Sequence, residues 1–494
     1  MYYDFMLNTG DQATLQILRM LNEEPTHRLE RVIVAQRLGL TNYQLNKSLV
    51  TLNQDLAAVA DETPSFIDES TKGTWVGHHI TTLLTQRIYL LYLRRASLFP
   101  VFEFRAFYDH QDIKASVYAQ EHFQTESTFY KNDRKLKKLL KANDFYSISG
   151  INQDPEFIVR LRLFQLYYTA FTGLDRPLPQ LNDCSDQLVA ALQQLFATPM
   201  APTQKVKLET LIKIWLLRQQ NQAVIKTPQL AANLHDATYQ AVSDTVHRLL
   251  DDTLSVPAAE IDYLFSFLLT QGFLALPDVT SAQANFPLAD QLTRQFIQQV
   301  DDKAVLTADT DLSATDLYNQ LLAVNLQFTA FYVEPTTFIS ADQITFFKRL
   351  YPTFDLLIRD FLNTLKQTVH FKLGERMIVN LYFSYMFCLI NTIPTTSIKD
   401  RVYIFVDFSE GQLYTNYVIK SLRAFSHAHI IIEKQLSAKT DIYISDFRSM
   451  AVNVPQIIWL DPPTAQDWSD LADVILAVKQ TRLKKFFPNY DWSD

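Results

Sequence analysis

Apolar positions between residues 31 and 56 recur at the spacing of two short helices joined by a tight turn. In the stretch RVIVAQRLGLTNYQLNKSLVTLNQDL, Gly39 follows the small residue Ala35 by four positions. The small side chain allows the helices to approach, and glycine accepts a turn conformation that is costly for other residues. Thr41 is placed to cap the second helix. The expected shared core consists of Leu38, Leu40, Leu45, Leu49 and Leu52.

The stretch that follows, SFIDESTKGTWVG, contains two short extended runs on either side of Lys72 and Gly73. Such runs around a turn dipeptide predict a β-hairpin. Two helices followed by a hairpin form a winged helix-turn-helix unit, and we expect one in residues 1–78.

A second copy of this pattern lies in SVYAQEHFQTESTFYKNDRKLKKLLKANDFYSISG. Ala119 occupies the place of Ala35, and Thr125 occupies the place of Thr41, but Phe123 replaces the turn glycine. The stretch FYSISGINQD is the candidate wing of this copy. Between the two copies, HHITTLLTQRIYLLYLRRASLF predicts one long amphipathic helix that acts as a rigid spacer.

From Pro155 to the linker NTIPTTSIKD the pattern is one amphipathic helix after another, without strand alternation. The helices fall into two sets that end alike. Glu260 is followed seven residues later by Phe267, and Glu375 is followed seven residues later by Tyr382, each on an apolar helix. This similarity predicts a weak internal repeat of two helical bundles.

The pattern changes again after the linker. Four short and nearly continuous apolar runs, RVYIFVDF, HIIIE, DIYIS and QIIWLD, are separated by turns and crossovers. Helical segments follow the first run and the last. Buried strands of this kind indicate a small α/β domain with a mainly parallel sheet. The predicted fold class is therefore multidomain and mainly α, with a small α/β domain at the C-terminal end.

Composition narrows the possible chemistry. Only nine of the 494 residues are glycine, which argues against a glycine-rich nucleotide site. The two cysteines, Cys184 and Cys388, lie far apart and predict neither a disulfide framework nor a zinc site. We expect no cofactor and no metal. The first residues lack the pattern of a signal peptide, and no apolar run is long enough for a membrane span, so the expected location is the cytoplasm.

Charge is distributed unevenly along this acidic chain, whose formal net charge is −8. Residues 1–150 carry 17 basic and 17 acidic residues, so the negative excess lies entirely in the remainder. Six of the eleven residues from Lys131 to Lys141 are lysine or arginine. A local basic helix in an acidic protein favours contact with a polyanion, although a solvated helix face would show the same run.

The order of these segments resembles the Mga/AtxA class of transcriptional regulators of Gram-positive bacteria, which carry PTS regulation domains (PRDs) and a C-terminal domain similar to phosphotransferase EIIB. The stretches TESTFYKNDRKLKKL and FFKRLYPTFDLLIRDFL support the resemblance. It implies five segments: a first winged helix-turn-helix (1–78), a linker helix with a second helix-turn-helix (79–152), two PRD-like helical bundles (153–278 and 279–396), and an EIIB-like α/β domain (399–494).

The resemblance also implies binding of double-stranded DNA and assembly into homodimers or larger oligomers. Second helices of such units enter the major groove. Candidate base-facing residues of the first unit are Asn42, Tyr43, Gln44, Asn46 and Lys47. Those of the second unit are Thr125, Ser127, Thr128 and Tyr130, with Lys131, Arg134, Lys135, Lys137, Lys138 and Lys141 as phosphate contacts. A purely structural role for the first unit stays open.

Regulation through phosphotransfer is a further implication, with the phosphocarrier protein of the phosphotransferase system as a candidate partner. PRD histidines usually follow an acidic residue by seven positions, but those positions hold Phe267 and Tyr382 here. The best remaining candidates are His247 and His370, which could also be surface or capping histidines.

The C-terminal domain raises the question of catalysis. A phosphate-accepting EIIB needs a nucleophile, usually cysteine, in the loop after its first strand. That loop reads VDFSEGQ and contains no cysteine, and Ser409 lacks an adjacent base. We therefore expect no enzyme activity. Two other classes stay open: an RNA-binding PRD antiterminator and a non-catalytic scaffold related to phosphotransferase components. The promoter, the direction of regulation and the signal are not defined by the sequence.

Overall fold

The computed structural model describes residues 3–61, 63–146, 154–227, 236–252, 254–303, 306, 312, 316–334, 341–368, 373–394, 397–424 and 430–486. Within these ranges the chain is mainly helical, with twenty α-helices and two small sheets. The predicted mainly α class is confirmed. The chain forms two compact units. The first comprises Met1–Ile148, Asn152–Leu269 and Phe273–Ala275, and the second comprises Ser149–Ile151, Thr270–Gly272 and Leu276–Asp494.

The first unit begins with three helices and a three-stranded sheet. Their bounds are α1 Thr9–Glu23, β1 Arg28–Glu30, α2 Arg31–Leu38, α3 Asn42–Val59, β2 Phe66–Thr71 and β3 Thr74–His78. The sheet is antiparallel in the order β1-β3-β2, which confirms the predicted hairpin. Gly73 turns the chain with φ +88°. The sequence did not predict β1, because three residues are too few to show alternation.

Four helices follow in this part of the first unit: α4 Thr82–Arg95, α5 Phe99–Phe107, α6 Ala115–Glu121 and α7 Glu126–Ala142. The stretch predicted to be one long spacer helix contains one helix, α4, which is shorter than predicted and is packed in the core. The helix ends at Arg95, and α5 begins with proline in its first turn, where proline is tolerated. Ile88, Tyr92 and Leu93 of α4 are fully buried, and α4 packs against α1, α3 and later α8. The candidate second wing falls largely on residues 147–153, which lie outside the described residues.

The rest of the first unit is a helical bundle: α8 Pro155–Phe171, α9 Asn182–Gln193, α10 Pro202–Gln220, α11 Ala237–Leu250 and α12 Ala258–Thr270. Its centre contains a fully buried ion pair. Both terminal nitrogens of Arg160 on α8 contact the carboxylate of Glu260 on α12, at 2.6 and 2.9 Å. Glu260 also accepts hydrogen bonds from the Trp215 indole and the Ile225 backbone. These bonds satisfy charges that would otherwise be costly to bury.

The second unit begins with another helical bundle: α13 Val279–Asn285, α14 Pro287–Asp302, α15 Leu317–Thr329, α16 Ala341–Leu350, α17 Pro352–Thr368 and α18 Glu375–Thr392. The helical pattern of the sequence continues without a break from 341 to 369, but α16 and α17 are separate helices. Pro352 begins α17 and disfavours helical conformation at Tyr351, which explains the interruption. Phe296, Leu357 and Tyr385 lie in the shared apolar core.

The second unit ends in a four-stranded parallel sheet, as predicted. Its elements are β4 Val402–Asp407, α19 Gln412–Ala424, β5 Ile430–Ile432, β6 Ile442–Ser445, β7 Gln456–Ile458 and α20 Ala465–Phe486. The strand order is β5-β4-β6-β7, and every neighbouring pair is parallel. Val402 and Ile404 of the central strand β4 are fully buried, which agrees with a nearly continuous apolar run in a parallel sheet.

Candidate nucleic-acid interface

The turn between α2 and α3 has the geometry that the sequence pattern predicts. Gly39 adopts the left-handed conformation with φ +63°, and the Leu40 amide donates to the Ala35 carbonyl at 3.0 Å. Thr41 caps α3 by accepting a hydrogen bond from the Gln44 amide, and the Gln44 side chain accepts one from the Thr41 amide. This capping box fixes the start of α3.

The turn between α6 and α7 repeats this geometry with different side chains. Phe123 occupies the left-handed position with φ +56°, and the Gln124 amide donates to the Ala119 carbonyl at 2.8 Å. Thr125 then caps α7 by accepting a hydrogen bond from the Thr128 amide at 3.2 Å. The pattern of small residue, left-handed residue and threonine cap is therefore the same at both turns, in backbone as well as in sequence.

Helix α7 has one apolar face and one exposed face. Phe129 and Leu136 are buried, and the Phe129 ring meets Phe104 of α5 edge to face, with centroids 5.5 Å apart. The opposite face carries the predicted DNA contacts of the second helix-turn-helix. All of the following are exposed: Thr125, Ser127, Thr128, Tyr130, Lys131, Arg134, Lys135, Lys137, Lys138 and Lys141. Their spacing of three and four residues places most of them along one stripe.

Most of the positive charge on this face has no ion-pair partner among the described residues. Lys137 forms an ion pair with the buried Asp133 at 2.9 Å, and Asp133 forms a second ion pair with Arg105 of α5. Burial raises the pKa of Asp133, but the hydrogen bonds from Arg105 and Lys137 outweigh burial and hold that pKa below its usual value. Five other cations of α7 have no ion pair with any residue that the structure describes: Lys131, Arg134, Lys135, Lys138 and Lys141. We call these five the basic stripe.

The candidate residues of α3 are also exposed, but two of them are already engaged. Asn42, Tyr43, Gln44, Asn46 and Lys47 all lie on the surface. The Gln44 side-chain oxygen belongs to the helix cap. The Asn46 oxygen accepts from Arg31 at 2.8 Å. Lys47 is the only cation on this helix, so α3 offers a more polar and less charged surface than α7.

Arg31 and Glu69 form a contact that the sequence reasoning missed. Arg31 at the start of α2 reaches Glu69 of β2 at 3.1 Å while it donates to Asn46. Glu69 also accepts the Gly73 amide at 2.6 Å, and this hydrogen bond is the main reason that its pKa lies below the usual value. The hairpin is thereby connected to both helices of the first turn.

A second missed feature joins α5 to the helical bundle of the same unit. Tyr167 of α8 donates a hydrogen bond to the Glu103 carboxylate of α5 at 2.6 Å. Arg218 and Asn221 donate to the Ala106 carbonyl at the end of α5. Since α5 also packs against α7, the basic helix is connected to the bundle by specific polar contacts. Their partners are far apart in sequence, so no local pattern could reveal them.

The proposed phosphorylation sites differ in what the structure describes. His247 is partly exposed near the end of α11, and its Nδ1 lies 2.9 Å from the Asp251 carboxylate. His370 lies outside the described residues. Phe267 and Tyr382, which the resemblance places at the PRD histidine positions, are buried. Tyr382 donates to the Asp355 carboxylate at 2.7 Å, so this position serves the core of the bundle.

The loop after β4 is closed by an interaction within the α/β domain. The Ser409 hydroxyl and amide both donate to Asp446, which follows β6. The same bonds are the main cause of the lowered pKa of Asp446. Asp446 accepts these hydrogen bonds as a carboxylate, and its negative charge opposes the approach of phosphate to Ser409. Sequence reasoning identified the loop but not this partner.

The described residues contain no group of three or more His, Cys, Asp or Glu side chains placed to hold a metal ion. The described helices include none that is long and apolar enough to cross a membrane. No protein-family model matches the chain, and no curated protein matches it. The resemblance to Mga/AtxA regulators therefore stays a prediction.

Proposed function

We propose that the chain is a transcriptional regulator that binds duplex promoter DNA through two N-terminal helix-turn-helix units. The basic stripe on α7 is the observation that carries this proposal. It places five cations, without an ion pair to any described residue, on a helix that follows a capped tight turn, in a protein whose net charge is −8. Such an excess of exposed positive charge on one helix matches the local approach of a polyanion.

The basic stripe and the start of α7 have different roles in this proposal. Lysine and arginine neutralise phosphates and fix the position of the protein on the duplex, without reading sequence. Ser127, Thr128 and Tyr130 lie in the first turns of α7, where second helices of such units reach base edges in the major groove. The Thr125 hydroxyl is engaged in the cap and therefore contributes mainly to orienting the helix.

The first helix-turn-helix supplies a second, weaker contact with DNA in this proposal. Helices α2 and α3 with the β2–β3 hairpin form its winged helix-turn-helix. Tyr43 is 76% exposed and stands next to the capping residues, so it can contact DNA without breaking an internal bond. Lys47 is the only cation on α3, which favours base-edge contact over phosphate neutralisation.

The other parts of the chain serve regulation and assembly. We assign α8–α12 and α13–α18 to two PRD-like bundles that receive a signal and support homodimerisation, and the parallel sheet with its helices to an EIIB-like domain without catalytic activity. The engaged Ser409 and the absence of cysteine from its loop support a non-enzymatic role for this domain.

Equilibrium binding of the full chain to labelled duplexes tests the proposal. We expect the full chain to bind genomic duplex fragments, and we expect RNA to be a poor competitor for this binding. The affinity should decrease with salt by about 0.9 log unit per log unit of salt for each phosphate neutralised. Absence of duplex binding at low salt by a folded chain would refute the function.

A matched pair of variants tests the role of the basic stripe. Changing Lys135 and Lys138 to Ala should weaken binding to cognate and random duplexes alike and reduce the salt slope by about two contacts. Changing the exposed Lys434 and Lys439 of the α/β domain to Ala alters the net charge equally and should leave both unchanged. Equal losses for both pairs would assign the effect to overall charge instead of the stripe.

A further inference from the structure

Phe123 combines two unfavourable features at the turn before α7. Its backbone adopts φ +56°, a left-handed conformation that bulky L-residues rarely occupy. Its side chain is 100% exposed, the largest value among the exposed large hydrophobic residues that the structure describes. The equivalent position of the first turn holds Gly39, which adopts φ +63° without steric cost.

Neither feature is explained by folding. A wholly exposed side chain contributes no packing to the unit, and glycine would serve the turn better. The neighbouring aromatic side chain behaves differently: the His122 ring stacks on Tyr118 with centroids 4.2 Å apart, and its Nδ1 lies 2.8 Å from the Tyr118 carbonyl oxygen. An exposed side chain in a strained backbone conformation is typical of a functional contact.

The position of Phe123 indicates what it contacts. It stands two residues before the Thr125 cap, at the amino end of the helix that carries the basic stripe. In the proposed function this end of α7 enters the major groove. The apolar group that the major groove presents is the 5-methyl of thymine, and phenylalanine is one of the side chains that contact it.

We propose that Phe123 reads a thymine by packing its ring against the 5-methyl group in the major groove. This inference rests on the proposed function and names one determinant of its sequence specificity. The turn fixes the backbone of Phe123 before DNA arrives, so no backbone freedom is lost at this residue on binding. Phenylalanine in place of the turn glycine would then give the second helix-turn-helix a base preference that the first helix-turn-helix lacks.

Deoxyuridine, which differs from thymidine only by the missing methyl, provides the test. The preferred duplex is first selected from a random library with the full chain, and each thymine is then replaced in turn. At one position the wild-type protein should lose about fivefold in affinity, the scale expected for one buried methyl group. The Phe123→Gly variant should bind the thymine duplex about fivefold more weakly than wild type and show no further loss on deoxyuridine at that position.

Two controls make the outcome decisive. Glycine suits φ +56°, so Phe123→Gly retains the turn, and circular dichroism checks this. Phe346→Ala removes another exposed phenylalanine, 62% exposed on α16, and should retain the wild-type response to deoxyuridine. Phe123→Gly that still distinguishes thymine from uracil overturns the inference.

Other contacts of Phe123 give different results, and each of them contradicts the proposal. An equal loss on every duplex, as for a wedge between base steps, would overturn it. So would unchanged duplex binding, which would indicate a protein partner for the ring. None of these results affects the proposed function, which fails only if the wild-type chain binds no duplex.

Discussion

Arg105 and Asp133 join α5 to α7 through two parallel hydrogen bonds, Nε to Oδ1 at 2.9 Å and Nη2 to Oδ2 at 3.2 Å. Asp133 is the one acidic residue within the basic run and is almost fully buried. A paired planar geometry of this kind fixes orientation as well as distance. The pair therefore holds α7, the helix that carries the basic stripe, in a defined position against α5.

Breaking this pair tests whether orientation or charge controls DNA binding. Arg105→Ala removes a positive charge, and Asp133→Asn removes a negative one, but both disrupt the paired two-bond contact. We expect each variant to lower the free energy of unfolding by about 1–3 kcal/mol, the range for hydrogen bonds to charged groups. Both should weaken binding to the preferred duplex, measured by fluorescence anisotropy at fixed salt. If the affinity instead rises for Asp133→Asn and falls for Arg105→Ala, net charge governs binding.

The two turns predict opposite responses to substitution. Gly39→Ala places a side chain at φ +63° and should cost about 1–2 kcal/mol of unfolding free energy. Phe123→Gly relieves the same strain, but glycine also gains freedom in the unfolded chain. These effects oppose each other, so the free energy of unfolding of the variant should lie within about 1 kcal/mol of the wild-type value. Urea unfolding of both variants against wild type measures the difference. A large loss for Phe123→Gly would show that the ring stabilises the fold.

Features set by neighbouring residues could be predicted from the sequence, and features set by distant ones could not. Gly39, Thr41 and Thr125 hold the predicted turn and cap positions because their requirements are local. The parallel strands were recognised for the same reason. The Arg105–Asp133 and Arg160–Glu260 pairs depend on how helices meet, and no spacing rule reports that.

The errors also have physical reasons. Amphipathic periodicity predicts the helical character of α4 but not its surroundings, so it does not distinguish a core helix from a spacer. The interruption before Pro352 follows from a local rule that the apolar pattern masked. Exposure of Asn42, Tyr43, Gln44, Asn46 and Lys47 agrees with their candidate role, but the engagement of Gln44 and Asn46 in internal contacts could not be foreseen.

Glu103 gives a testable pH dependence. Burial raises the pKa of this carboxyl to about 7, although the hydrogen bond from Tyr167 and the charge of Arg94 lower it in part. In the unfolded chain the carboxyl ionises near its usual value of 4.5. The folded state therefore binds more protons between these values, and the contribution of Glu103 to stability decreases as pH rises from about 4.5 to about 7.

Glu103→Gln should remove this contribution. Thermal unfolding at constant ionic strength measures the difference in stability between the variant and wild type. We expect this difference to favour the variant more at pH 8 than at pH 5. Tyr167→Phe removes the bond that lowers the pKa and should move the wild-type transition to higher pH. Parallel pH profiles for wild type and Glu103→Gln would show that Glu103 does not titrate in this window.

His247 is the described candidate for phosphotransfer. Its Nδ1 contacts Asp251, so when this nitrogen carries the proton, Nε2 holds the free electron pair that can attack phosphorus. Incubation of the pure chain with phosphoenolpyruvate and the general phosphotransferase enzymes should then give acid-labile phosphate on His247, mapped by mass spectrometry. His247→Ala should abolish this label, and His370→Ala provides the corresponding test of the second candidate.

Asp251→Asn separates a designed acceptor site from adventitious labelling. The carboxylate favours the proton on Nδ1 and increases the nucleophilicity of Nε2, so its loss should slow labelling several-fold, whereas Asp244→Asn on the same helix should not. The phosphoryl group would add nearly two negative charges beside Asp251 and Asp252 and weaken the end of α11 by repulsion. If the chain stays unlabelled while a control PRD is labelled in parallel, the helical bundles act without phosphotransfer at these histidines, and dimerisation or ligand binding becomes their role.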